Sequence, residues 1–324
     1  MKNEPVLFIK EEGATAATGR LLFTPSSKPT ITAPDLVMRY VEGKDYIWKP
    51  RSNLVELTAS SRIPFKTAGE MVPPPGSPNT LMGVLFFEGH YFHDLQVQAT
   101  YDHNETWPLH DSPQADRLTR SLGKLRAKQP VKIVALGDSI TAGANASALS
   151  QAPPYQHCYP QLVATLLQER FGAQVTLTNL GRGGTRAEWG LEMVAQVAAE
   201  KPDLVILAFG MNHGEPAPEF EAVMRKLRDA VVAACPDADI VLVAPMTGNP
   251  RCFPAERFCG YREALRNLVT TNVAIADVTT PWLELLKRQS FSDLSGNNIN
   301  HPNDFGHRLY AEVICQLFPI GELQ

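Results

Sequence analysis

The chain has 324 residues, 44% hydrophobic and 20% charged, with a formal net charge of −4. That length suits one large domain or two ordinary ones, and that balance can bury a core, which excludes a disordered chain. The acidic excess argues against a nucleic-acid or anionic-membrane partner.

Residues 1–115 hold short segments rich in Val, Ile, Tyr, Phe and Thr, broken by Gly, Pro, Asn and Ser. They are PTITAP (29–34), RYVEGKDYIWKP (39–50), NLVELTASSRIPF (53–65), LMGVLFFEGHYF (81–92) and LQVQATYDH (95–103). Turn signals recur every 8–15 residues and no long 3.6-residue period appears, the pattern of an antiparallel β-sandwich. MVPPPGSPN (71–79) reads as a rigid loop and not as an interdomain linker. From Ser112 the composition turns charged and polar, SPQADRLTRSLGKLRAKQP, and the domain boundary is placed within a connecting helix there. The expected division is residues 1–120 and 121–324.

After Pro130 the pattern becomes strand, helix, strand, helix. The apolar runs are VKIVALG (131–137), VTLTNLG (175–181), DLVILAFG (203–210), DIVLVAPM (239–246) and VAIADV (273–278). Between them, YPQLVATLLQERFG (159–172) has Pro160 suited to a first helical turn and Gly172 to a C-terminal cap. AEWGLEMVAQVAAEKP (187–202) and PEFEAVMRKLRDAVVAAC (218–235) share the helical period. Such alternation predicts a parallel sheet covered on both faces, with ligands beyond the carboxyl ends of its strands. The first strand ends in Gly137-Asp138-Ser139.

Several familiar motifs are absent. Thr141 stands where a G-x-S-x-G elbow needs glycine. NLGRGGTR (179–186) has Arg186 in place of the last glycine of G-x-G-x-x-G and follows the second strand, which argues against a dinucleotide site. No CxxC and no H-E-x-x-H occurs, so neither metal nor other cofactor is expected. Five cysteines (158, 235, 252, 259, 315) fit reduced thiols, with Cys252 and Cys259 the pair that could bridge under oxidation.

Read together, the strand ends carry Gly137-Asp138-Ser139, Asn179 to Gly184, and Gly210-Met211-Asn212, and NNINHPNDFGH (297–307) follows near the C-terminus. This set resembles the SGNH/GDSL hydrolase family over the whole second half of the chain. The resemblance implies a three-layer, flavodoxin-like α/β domain with a five-stranded parallel sheet. It makes Ser139 the nucleophile, His301 its general base, and the backbone of Ser139 and Gly184 with the Asn212 amide the oxyanion donors. An SGNH domain behind an N-terminal β-sandwich is similar to family 2 acetyl-xylan esterases with their jelly-roll module. That similarity implies a deacetylase of O-acetylated carbohydrates. Alternatives are a short-chain carboxylesterase or lysophospholipase-type hydrolase, and a non-catalytic carbohydrate-binding protein on a decayed scaffold.

Two positions depart from the family pattern. Asn298 stands where the acid three residues before the histidine is usual, so the expectation is a Ser139–His301 dyad oriented by a neutral acceptor. The acceptor is the Asn298 side chain or a backbone carbonyl in 296–299, with Asp293 or Asp304 as a displaced acid otherwise. His213 follows Asn212 where Asp is common, and is either a substrate contact or a packing residue. Asp138 is expected to tie down the turn, and Asn303 or Asp304 to cap the last helix. His90, His93, His103 and His110, near Tyr91, Tyr101 and Trp107, are read as surface or satisfied core residues before a metal or sugar site. No apolar run reaches the ~18–20 residues that span a bilayer. MKNEPVLFIKEEG is too short in apolar residues for a signal peptide. The expected location is therefore the cytoplasm, or outside it if a leader has been removed.

Overall fold

The computed structural model describes residues 1–106 and 114–321. The five apolar runs form β1 (Val131–Gly137), β2 (Val175–Asn179), β3 (Leu204–Ala208), β4 (Asp239–Ala244) and β5 (Val273–Asp277), all parallel. Their order is β2-β1-β3-β4-β5. Every residue of β3 and β4 is buried, and since successive side chains point to opposite faces, both faces of the sheet are covered. β2 differs from the other runs: it lies at the sheet edge and none of its residues is fully buried.

Five helices matter for the site: α1 (Ser139–Ala142), α2 (Tyr159–Phe171), α3 (Ala187–Glu192), α4 (Ala217–Ala234) and α5 (Asp304–Cys315). α2 begins with Pro160 in its first turn and ends at Gly172 in the left-handed conformation, as its sequence requires. The 187–202 stretch splits into α3 and a second helix, Val194–Ala199. The helices pack in two groups: α2 with α5 and Thr119–Arg126, and α4 with α3, Val194–Ala199 and Ala255–Arg266. Asn303 caps α5, its Oδ1 accepting from the N–H groups of Phe305 and Gly306 at 3.1 and 3.2 Å. The order places β1 beside both β2 and β3 with the chain leaving in opposite directions, the switch point where open α/β sheets bind ligands.

The N-terminal region contains a three-stranded antiparallel sheet, Glu4–Val6, Val97–Thr100 and Thr30–Thr32. A five-stranded sheet runs Tyr46–Trp48, Leu54–Leu57, Thr18–Arg20, Phe8–Lys10 and Phe65–Thr67, antiparallel except for its last pair. The 81–92 stretch departs from an all-strand reading. Within it only Leu81 and Val84–Leu85 are strand, paired in a hairpin of Thr80–Leu81 with Val84–Leu85, and Tyr91–Leu95 is a short helix. Packing decides this, since Phe92 is buried in a cluster with Leu7 and Leu85, flanked by Ile9, Met71, Phe87, Tyr91 and Leu95.

The two regions share one hydrophobic core. Hydrogen bonds cross between them: Leu7 N donates to Asp293 Oδ1 (2.7 Å), Gln289 Nε2 to Glu4 Oε1 (2.5 Å), and Gln96 Nε2 to the carbonyls of Ser292 and Ser295 (2.7 and 2.8 Å). Among the described residues no helix is long and apolar enough to cross a membrane.

Candidate active site

The turn that carries Ser139 is built at the end of β1. Asp138 caps α1 by accepting from Ile140 N at 3.0 Å, and Ser139 is the first helical residue. Burial pushes the Asp138 carboxyl up to about 6, partly offset by the N–H groups of Ile140 and Met211 and by the charge of His301. Because Met211 lies just past β3, Asp138 ties the turn after β1 to the loop that carries Asn212. The loop after β2 closes the other side. Asn179 Nδ2 donates to Thr141 O at 2.7 Å, and Arg182 N to Gly137 O at 3.0 Å. Gly181 is needed for this approach, since a Cβ there would overlap the backbone of Ala142.

His301 Nε2 lies 3.0 Å from Ser139 Oγ. Its other nitrogen, Nδ1, is 2.8 Å from Asn145 Oδ1, an acceptor 156 residues away in sequence. The Asn145 amide has one consistent orientation: its Nδ2 donates to Gly89 O (3.0 Å) and Gly296 O (3.1 Å), which leaves Oδ1 facing His301. His301 therefore carries its proton on Nδ1, and Nε2 is free to accept from the serine hydroxyl. Asn297 Nδ2 also lies 3.0 Å from Nδ1, but its two hydrogens are directed to Glu88 Oε1 (3.2 Å) and Asn300 Oδ1 (3.1 Å). Asn145 sits at φ 58°, which asparagine tolerates, and a Cβ at Gly296 would overlap its side chain.

These contacts correct the expectation for Asn298. Its Nδ2 donates to Leu85 O at 2.9 Å, and its Oδ1 lies 3.5 Å from Asn249 Nδ2, so it faces away from the histidine. The cause is local. Asn297 accepts the N–H groups of Ile299, Asn300 and His301, and the left-handed φ of 64° at 298 turns the next side chain outward. Neither nearby acid replaces it. Asp293 accepts from Leu7 N and Ser290, and Asp304 from Ser147 N at 2.8 Å. Glu88 is the carboxylate that approaches: Oε2 is 3.7 Å from His301 Nδ1.

In the exposed loop after β2, Gly184 adopts φ 74° with open space where a Cβ would project. Asn212 is partly buried and spends one amide hydrogen on Thr185 O at 3.0 Å, which leaves the second. His213 is buried and does not reach the cleft, which corrects its reading as a substrate contact. Its Nε2 accepts from Ala187 N at 3.0 Å, and its Nδ1 binds the Glu215 carboxylate. Burial would raise Glu215, yet the bonds from His213 and the backbone N–H groups hold it at about 2. His213 thus fixes the start of α3, and with it the far end of the 181–186 loop.

The family model that matches is the GDSL-like Lipase/Acylhydrolase family, over residues 135–309, more than half of the chain. The chain belongs to this family. Among solved structures, a two-domain esterase active on acetylated mannans is 23% identical over 63% of this chain and 52% of that one, with a TM-score of 0.51. The same esterase with mannopentaose gives 22%, 62%, 52% and 0.49. A catalytic mutant of Axe2, an acetylxylan esterase from Geobacillus stearothermophilus, gives 22%, 59%, 95% and 0.48. The chain spans about half the length of the two-domain esterase. At these identities the likeness concerns the fold. No curated protein matches.

The chain thus belongs with a family of lipases and acylhydrolases. The residues that sequence reasoning missed at its site are Asn145, Glu88, Asn297 and His93, whose Nε2 lies 2.7 Å from Asn145 O. No motif marks Asn145, Glu88 and His93, which act across the fold, whereas Asn297 opens the NNINHPNDFGH stretch four residues before His301. Of the other N-terminal histidines, His90 pairs with Asp94 on the surface and His103 stacks on Phe23 at 4.0 Å. His110 and Trp107 lie outside the described residues. Among the described residues no group of three or more side chains is arranged for a metal, and all five cysteines are free.

Proposed function

We propose that this GDSL-like hydrolase is a serine esterase that removes acetyl and other short acyl groups from O-acetylated carbohydrates through an acyl-enzyme on Ser139. The observation that carries the mechanism is the 3.0 Å contact of Ser139 Oγ with His301 Nε2, with Nδ1 held by Asn145 Oδ1 at 2.8 Å. Ser139 Oγ attacks the acyl carbonyl as its proton passes to Nε2. The N–H groups of Ser139 and Gly184 and the free amide hydrogen of Asn212 receive the oxyanion. On collapse of this intermediate, Nε2 gives the proton to the departing sugar oxygen, which leaves as a hydroxyl. Water, deprotonated by Nε2, then attacks the acyl-enzyme, and the second collapse releases the acid and restores the serine. The catalytic assignment is thus Ser139 and His301, with Asn145 in the acceptor role.

The carbohydrate substrate rests on the two-domain arrangement and on the named activity of the two-domain mannan esterase. We read residues 1–120 as the N-terminal unit and 121–324 as the catalytic unit, with the helix Thr119–Arg126 at the junction. Fluorophosphonate labelling of Ser139 tests the nucleophile. Hydrolysis of p-nitrophenyl acetate against octanoate, then of acetylated xylo- and manno-oligosaccharides, tests the substrate class. Preference for octanoate with no release of acetate from either oligosaccharide would favour the carboxylesterase or lysophospholipase-type alternative, and absence of labelling the non-catalytic one.

A further inference from the structure

The family pattern places an acid three residues before the histidine, and this chain has Asn298 there, turned toward Leu85 and Asn249. The direct acceptor on Nδ1 is a neutral amide, Asn145. An amide oxygen selects the tautomer but carries no full charge to balance the imidazolium that forms when Nε2 takes the serine proton. The site contains one carboxylate positioned to do so. Glu88 follows the Thr80–Leu85 hairpin, and its Oε2 lies 3.7 Å from His301 Nδ1 while Oε1 accepts from Asn297 Nδ2 at 3.2 Å. Its neighbours are themselves fastened to the catalytic half. Leu85 O accepts from Asn298, Gly89 O accepts from Asn145, and His93 Nε2 is bonded to Asn145 O.

We propose that Glu88, carried by the N-terminal region, is the positioning acid of this site: its carboxylate stabilises the imidazolium of His301 in place of the acid missing at 298. The inference rests on the reading of Ser139 and His301 as the working pair. Glu88 stays ionised throughout. The proton moves from Ser139 Oγ to Nε2 and on to the leaving alcohol, and the Nδ1 proton stays on the hydrogen bond to Asn145.

Other titratable groups face His301. Asp138, in the turn after β1, spends its oxygens on the N–H groups of Ile140 and Met211. His307, on α5, is held neutral by burial down to about pH 4 while its Nε2 faces Ala144 O at 3.1 Å, so it adds no charge under working conditions. Burial opposes the ionisation of Glu88, but the charge of His301 beside it and the bond from the Asn297 amide hold its carboxyl below the ordinary range.

The side chain of Glu88 is 55% exposed, so its influence is that of a solvent-screened pair. The test is the pH profile of kcat and kcat/KM on p-nitrophenyl acetate, which has no sugar, for wild type, Glu88→Gln and Glu88→Lys. Gln keeps an acceptor for Asn297 and removes only the charge. Glu88→Gln should lower kcat by ~2–5-fold and move the acid limb of kcat/KM down by ~0.2–0.7 pH unit, because the imidazolium loses a favourable neighbour. Glu88→Lys should extend both changes in the same direction. Acid limbs that coincide in all three proteins overturn the proposal. So does an effect confined to KM on acetylated oligosaccharides, which would make Glu88 a sugar contact. Fluorophosphonate labelling of the same proteins separates the two levels. If wild type is not labelled at Ser139, the reading of the site itself falls, whereas labelling with coincident profiles removes only the role of Glu88.

Discussion

The strand ends of the parallel sheet and the 85–96 segment of the N-terminal region reach the same histidine from opposite sides, with opposite chemistry. The strand ends offer a hydroxyl at Nε2. The 85–96 segment offers oxygens: the Glu88 carboxylate beside Nδ1 and the Gly89 carbonyl that orients Asn145. The first set lies within a few residues of β1, β2 and β3 and follows from the sheet. The second exists only because another region is packed against it. The difference teaches that the reacting groups and the groups that tune them can have separate structural origins within one site.

The largest expected effect falls on the strand-end side. Ser139→Ala should reduce ester hydrolysis by more than ~10³-fold with circular dichroism and melting temperature near wild type. Turnover within tenfold of wild type would remove the nucleophile. Next, Asn212→Ala should cost ~10²–10³ in kcat with little change in stability, since it deletes one oxyanion donor. A change in KM alone would mean that Asn212 binds only the ground state.

On the opposite side the expected effects are smaller. Asn145→Ala should lower kcat by ~10–100-fold, because His301 loses the acceptor that selects its tautomer and the carbonyls of Gly89 and Gly296 lose their donor. Asn298→Ala should leave kcat within ~3-fold, its cost appearing as lost stability at the Leu85 contact. Kinetics that reverse this order would return the acceptor role to Asn298. Asn145→Asp is not a simple gain of charge, since its second oxygen would face two carbonyls.

The smallest effect concerns how the two regions hold together. Glu4 is fully buried and is bonded by Leu22 N, Gln289 Nε2 and the Tyr101 hydroxyl. Burial lifts its carboxyl from 4.5 to about 8 against the pull of those bonds. An acid whose folded value is raised contributes stability below its unfolded value, and that contribution drains away as pH climbs toward the folded one. Thermal unfolding of wild type should therefore fall from pH 5 to pH 8 relative to Glu4→Gln, which mimics the protonated form, by at least ~2 °C. A constant difference across that range would show that Glu4 does not titrate on unfolding.

Much of this site can be read from the chain because Ser139, Gly184 and Asn212 lie just past strand ends and His301 just before a capped helix. An apolar run predicts a buried strand, and the residues just past it lie at the sheet's carboxyl edge wherever the rest of the fold goes. Asp138 as a turn tie and Asn303 as a helix cap follow from the same short-range rules. Asn298 shows where such reasoning stops. Sequence spacing places it at the family's acid position, but a left-handed residue in a tight loop reverses the direction of its side chain. His213 shows the same limit, since its neighbourhood predicts proximity to Asn212 but not that Ala187 and Glu215 take both ring nitrogens.

By itself the sequence determined the five-stranded parallel sheet, and it singled out Ser139 and His301 as a candidate pair with no acid at the expected spacing. Only the tertiary structure decided that the acceptor at Nδ1 is Asn145 and that Glu88 lies beside it. A hydrogen bond depends on distance and direction, and these two side chains reach His301 from far along the chain, through turns and packing that no local pattern encodes.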